Sequence, residues 1–175
     1  MAYAIVRTDK MFGTDNRNGI VSAKYFVSTT ATAIENGNVV LLDGLLTSGT
    51  SPDIVTEREI YKATTPAANS ALKDIVLVAT PEVDKENTYH RGLEYFINKA
   101  GVPIRGYHLV TNDIFSVTKE ALDGKATPEK GDVIELKAGT KLNAAASATS
   151  GSTVVGSIID IEVTGGKTFY VIQVG

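Results

Sequence analysis

The chain contains no cysteine, no tryptophan and only two histidines, His90 and His108. Without a thiol there can be neither a disulfide framework nor a thiolate metal site. Zinc would need at least three converging ligands, and no His-x-x-x-His or Glu-flanked pair is present, so both histidines read as surface or half-buried residues. Aromatic residues make up 7% of the chain, which argues against the exposed aromatic stripe of a carbohydrate-binding domain. Long hydrophobic runs are also missing. The longest, Val39 to Leu46, is interrupted by Asp43 and falls well short of the ~20 residues that span a bilayer. Met1 to Val6 is too short for the apolar core of a signal peptide, and Arg7, Asp9 and Lys10 follow at once. The expectation is a soluble protein made in the cytoplasm, with no membrane partner.

An excess of basic charge is missing too. Seventeen Lys and Arg stand against twenty Asp and Glu, for a net charge of -3. No window concentrates cations as a phosphate-binding face does, so nucleic acid is not an expected partner. Charged residues amount to 21% of the 175. Thr, Ser, Ala and Gly fill much of their place, giving a surface that can be ordered against a neighbour at modest entropic cost.

The motifs of catalysis and cofactor binding are equally scarce. There is no Gly-x-x-x-x-Gly-Lys, no Gly-x-Gly-x-x-Gly and no Gly-x-Ser-x-Gly. Asp15, Asn16 and Asn18 lack the spacing of a calcium loop and read as a solvated turn. Asp113 and Asp132 could serve as a glycosidase pair only if they met across a sheet, and nothing in the sequence places them together, so they read as polar strand ends. Lys130, Gly131 and Asp132 resemble an integrin-ligand tripeptide, yet before a strand they read as a hairpin turn. No catalytic, cofactor-binding or metal-ligating residue is assigned, and a non-enzymatic protein without cofactors is expected.

What the chain does contain is strand grammar. Ile104 to Val110, Ile114 to Thr118, Asp132 to Leu136, Val154 to Val163 and Thr168 to Val174 are rich in Val, Ile, Thr, Tyr and Phe. Asn112, Gly131, Gly139 and the pair Gly165 and Gly166 stop them. Ala2 to Arg7, Ile20 to Ser28, Asn38 to Leu42 and Asp74 to Ala79 add further strands. Gly92 to Asn98 fits either period and is assigned to a strand, because Asn98 to Val102 makes a hairpin loop before Ile104. Helix is expected only within residues 54–73, where Thr56 can cap a turn through Glu57, Arg58, Glu59 and Tyr61. A faint internal echo links Gly37 to Gly44 with Gly131 to Gly139, as expected where strands reuse one turn grammar. The predicted fold is mainly β: about ten strands in one small antiparallel barrel or sandwich over residues 1–175, with N-terminal strands in 1–36 and a partly helical excursion at 54–73.

Residues 92–142 carry a family resemblance. Leu93 to Gly101 (Leu-Glu-Tyr-Phe-Ile-Asn-Lys-Ala-Gly), Arg105-Gly106-Tyr107-His108-Leu109, Asp113-Ile114-Phe115-Ser116-Val117-Thr118 and Lys130-Gly131-Asp132-Val133 together resemble the capsid-associated proteins of tailed bacteriophages. Gly37 to Gly44 is similar to a strand of the same group. The resemblance implies a head decoration, or cement, protein on the exterior of the virion capsid. Its partner would be the phage major capsid protein, with a possible homo-oligomer and no catalytic residues. A tail-tube or baseplate component and a carbohydrate-binding β domain are the alternative expectations.

Overall fold

A computed structural model describes residues 2–46, 59–83 and 92–175. The fold is mainly β, with one closed five-stranded barrel and one curled sheet. Among the described residues thirteen strands run in chain order: β1 (Val6–Lys10), β2 (Ile20–Val27), β3 (Thr30–Ala31), β4 (Val39–Leu45), β5 (Ile60–Thr64), β6 (Ile75–Val78), β7 (Ile104–His108), β8 (Ile114–Thr118), β9 (Leu122–Gly124), β10 (Val133–Glu135), β11 (Leu142–Ala145), β12 (Val154–Thr164) and β13 (Lys167–Val174). The barrel order is β2-β5-β4-β6-β7, and β7 closes the ring by pairing with β2, so that Ala23 lies opposite Ile104. The curled sheet has the order β1-β8-β13-β12-β10-β11-β9.

Strand alternation produces two cores. Val40, Val76, Val78, Ala23, Ala63 and Ile104 point into the barrel. Val39, Ile75 and Leu77, the odd-numbered neighbours on β4 and β6, point outward and pack with Phe115, Ile134, Ile158 and Ile172 of the curled sheet. Both faces of β6 are therefore buried, which is why Ile75–Val78 is an unbroken apolar run rather than an alternating one. The barrel interior is narrow and takes small residues. A Cβ on Gly106 would lie 2.7 Å from Val76 Cγ2 and 3.1 Å from Val21 Cγ2. Asn36 and Asn98, both buried, close one end: Asn98 Nδ2 donates to Ile34 O and to Asn36 Oδ1, while Asn36 Nδ2 donates to Thr80 O.

Three sequence expectations are corrected. Within the 54–73 excursion, Ile60–Thr64 is a strand, because it finds β2 as a parallel partner and β4 as an antiparallel one. The only helical turn described there is the 3-10 turn Leu72–Asp74, and the capping residues Thr56, Glu57 and Arg58 lie outside the described residues. Gly92 to Asn98 is not a strand: Leu93–Tyr95 forms a 3-10 turn with Leu93 and Tyr95 turned to solvent, and only Asn98 makes a bridge, to Ile34. Helix is not confined to 54–73: around the turn of Asp15, Asn16 and Asn18 lie a short helix, Phe12–Asp15, and a 3-10 turn, Arg17–Gly19. The expected antiparallel pairing dominates both sheets, with β2–β5 and β9–β11 as parallel exceptions.

Candidate functional site

The acidic residues singled out in the sequence are occupied within the fold. Asp113 is buried in the turn between β7 and β8, where one carboxylate oxygen accepts from Val110 N at 3.0 Å and the other from Phe12 N at 2.8 Å. Asp132 repeats the device before β10, accepting from Glu129 N at 2.6 Å and from Lys125 Nζ at 3.0 Å. In both turns the Asp binds the N–H three residues earlier, which ties off a tight turn with a charge-assisted bond. The two carboxylates share no partner. Burial raises the Asp132 carboxyl, but the Glu129 N–H and the Lys125 ammonium outweigh it and hold the group below the usual carboxylate value. Gly131 and Asp132 thus belong to a turn, as their place before a strand suggested.

Asn16 caps the 3-10 turn at Arg17–Gly19 by accepting from Asn18 N, and Asp15 is exposed. His108 is half-buried on β7, opposite Val76, and His90 lies outside the described residues. Among the described residues, no group of three His, Asp or Glu could hold a metal ion.

The distinctive surface feature is the far half of β12, which the sequence presents as an ordinary hairpin strand. β12 is eleven residues long, whereas β10 beside it has three. β10 pairs with β12 from Val154 to Ser157, and the preceding turn adds bonds from Gly131 N to Ile158 O at 2.8 Å and from Ile158 N to Asp132 O at 2.9 Å. Beyond Ile158 the register shifts by a bulge. From there to Thr164, β13 is the only strand paired with β12 among the described residues. Gly165 and Gly166 both have positive φ (59° and 74°), the backbone that a two-residue hairpin turn requires.

The turn fixes which backbone groups are free. Thr164 and Lys167 flank it and bond each other, so antiparallel alternation directs Glu162 and Asp160 toward β13 as well. The N–H and C=O of Ile161 and Val163 then face away from the sheet. The side chains of Ile161 and Val163 are 38% and 74% exposed. They alternate with Asp160 and Glu162 on the opposite face. The free edge from Ile159 to Thr164 is about 20 Å long at about 3.4 Å per residue.

Two contacts hold this arm in place. Arg7 of β1 reaches across the sheet, with Nη2 2.6 Å from Glu162 Oε2 and its guanidinium stacked 4.1 Å from the centre of the Phe169 ring. Lys167 at the arm's end lies 3.5 Å from Glu94, whose own backbone N–H and the nearby ammonium hold its carboxyl below the usual value against a smaller opposing effect of burial. Beside the arm is a groove of about 360 Å³ lined by Tyr3, Thr118, Lys119, Lys167 and Tyr170. A tethered strand whose outward backbone groups have no partner among the described residues can recruit another strand, which is binding rather than chemistry. No family model, no curated protein and no solved structure matches this chain.

Proposed function

We propose that this chain is a head decoration protein of a tailed bacteriophage, binding the outside of the shell built by the major capsid protein and stabilising it without catalysing a reaction. The observation that carries the reading is the division of labour among polar groups. The buried carboxylates of Asp113, Asp132 and Glu135 are spent on internal donors, while backbone groups of the β12 arm are offered outward. The resemblance of residues 92–142 to phage capsid-associated proteins supports the same reading. Its motifs fall on the 3-10 turn at Leu93–Tyr95, on β7 and β8, and on the Asp132 turn, the parts that join the barrel to the curled sheet and brace the arm. The net charge of -3 suits a protein on the outer surface, away from packaged DNA.

The mechanism is multivalent reinforcement. Each copy bridges neighbouring shell subunits, so opening the shell must break many modest contacts together. Heads lacking the protein should still assemble, but should rupture or release DNA at lower temperature, and adding the purified chain should restore resistance saturably. Failure of heads to form without it, or its presence only in tails of purified virions, would overturn the reading in favour of a tail component.

A further inference from the structure

The geometry points to the outer edge of β12, Ile159 to Thr164, as a strand-addition site. Its occupant would be an extended segment carrying Lys or Arg at alternate positions with apolar residues between them. On the decoration reading, on which only the choice of partner rests, that segment belongs to the shell subunit.

An added strand would lie end to end with β10, in the lane that β10 vacates at the Asp132 turn. There it meets the outward N–H and C=O groups of Ile161 and Val163, the main-chain component of strand addition. One of its faces would lie beside the exposed Ile161 and Val163 side chains, and the other beside Asp160 and Glu162. Directly opposed charges on neighbouring strands are favourable when opposite and unfavourable when alike. That rule selects against two of the three two-fold registers open to a second copy of the arm, and the third runs off the strand into the turn. A two-fold pairing centred on Glu162 sets this residue against itself, and one centred on Ile161 sets Asp160 against Glu162. One centred on Val163 places Ile161 opposite the turn glycine Gly165. A basic alternating segment meets no such penalty at Asp160, which carries the preference, because the Glu162 carboxylate is already bonded by Arg7 at 2.6 Å.

The remaining edges of the curled sheet suit this role less well. β1 carries Arg7, Asp9 and Lys10 across a register shift, and β9 has only three residues, including Asp123 and Gly124. The arm is already fixed by Arg7 and by Glu94, so pairing orders only the incoming strand.

The test uses the full chain and two short blocked peptides, one alternating Lys with Val and one alternating Glu with Val. By amide hydrogen exchange, Ile161 and Val163 should exchange readily in the free chain and become protected saturably by the Lys peptide, whereas Glu162 and Thr164 should be protected throughout. Val163→Pro removes one outward N–H without touching the β13 ladder, and should weaken the Lys peptide about tenfold or more. Asp160→Lys should shift preference toward the Glu peptide, and unchanged melting of each variant establishes that it is folded. Equal binding of both peptides, undiminished binding by Val163→Pro, or protection of Ile161 and Val163 in the dilute free chain would each overturn the inference. If heads take up the chain while these peptide experiments fail, the edge assignment falls and decoration stands. If the peptide pairs but heads never take up the chain, decoration falls and the edge stands.

Discussion

Glu135 gives the clearest case of a single residue whose role comes from its surroundings. It is 1% exposed, and its carboxylate accepts from Asn143 Nδ2 at 2.8 Å, from Thr149 N at 2.7 Å and from Thr149 Oγ1 at 2.6 Å. Burial pushes its carboxyl up, but the Thr149 side chain, the Thr149 backbone and Asn143 together hold it below the ordinary 4.5. A carboxyl depressed in the folded state adds stability above its unfolded pKa and loses that contribution as pH falls through the folded value. Asp132 acts in the same direction. Stability to urea should therefore be level near neutrality and decline below about pH 4. Glu135→Gln turns an amide donor toward groups that are themselves donors, and should cost about 1–3 kcal/mol at neutral pH. The gap from the parent should narrow on acidification; a gap independent of pH would mean that the carboxylate is not the stabilising species. None of this can be read from Val133 to Leu136, where Glu135 has the look of an outward-facing residue. Its partners arrive from positions 143 and 149, beyond any local pattern.

Among the elements, two close approaches differ in what surrounds them. At Gly106 a Cβ would press on the methyls of Val76 and Val21, whereas at Gly156 it would overlap the main-chain carbonyl of Gln173. Side chains yield more readily than a strand's backbone, so Gly106→Ala should cost about 1–3 kcal/mol by overpacking. Gly156→Ala should cost more, because β12 and β13 would have to separate where their ladder begins. Denaturant titration of the two variants tests that order. Most strands were legible because alternation and turn residues are local signals, as at Ile114–Thr118 and in the β12–β13 hairpin. The sequence around Ile60–Thr64 favours a helix because the capping pattern of Thr56 to Glu59 is local, whereas the partner of this short strand, β2, lies some forty residues upstream. Leu93 and Tyr95 present the opposite case: they alternate in the sequence, but among the described residues no strand pairs with them and both are exposed. The free edge of β12 was illegible for the same reason. Which side of a strand lacks a neighbour depends on where β10 ends, and that is a long-range fact.

On the scale of the whole molecule, β4 and β6 serve the barrel interior with one face and the shared core with the other. Damage on either face should be felt by both sheets. Leu77→Ala, facing the shared core, should cost about 2–5 kcal/mol. Val78→Ala, facing the barrel, should shift the same single transition rather than split it. Circular dichroism and tyrosine fluorescence should give coincident curves for both variants. Two separate transitions would mean that the barrel survives without the curled sheet.

The sheathing of β6 also sets a clock. Ile75–Val78 is bonded on its flanks by β4 and β7 and covered above and below by two different cores. Opening the arm, the termini or the outer strands leaves this segment dry, so solvent reaches its amides only when both cores come apart together. Exchange of those amides then reports complete unfolding: its free energy where refolding outpaces exchange, and the lifetime of one native copy where exchange outpaces refolding.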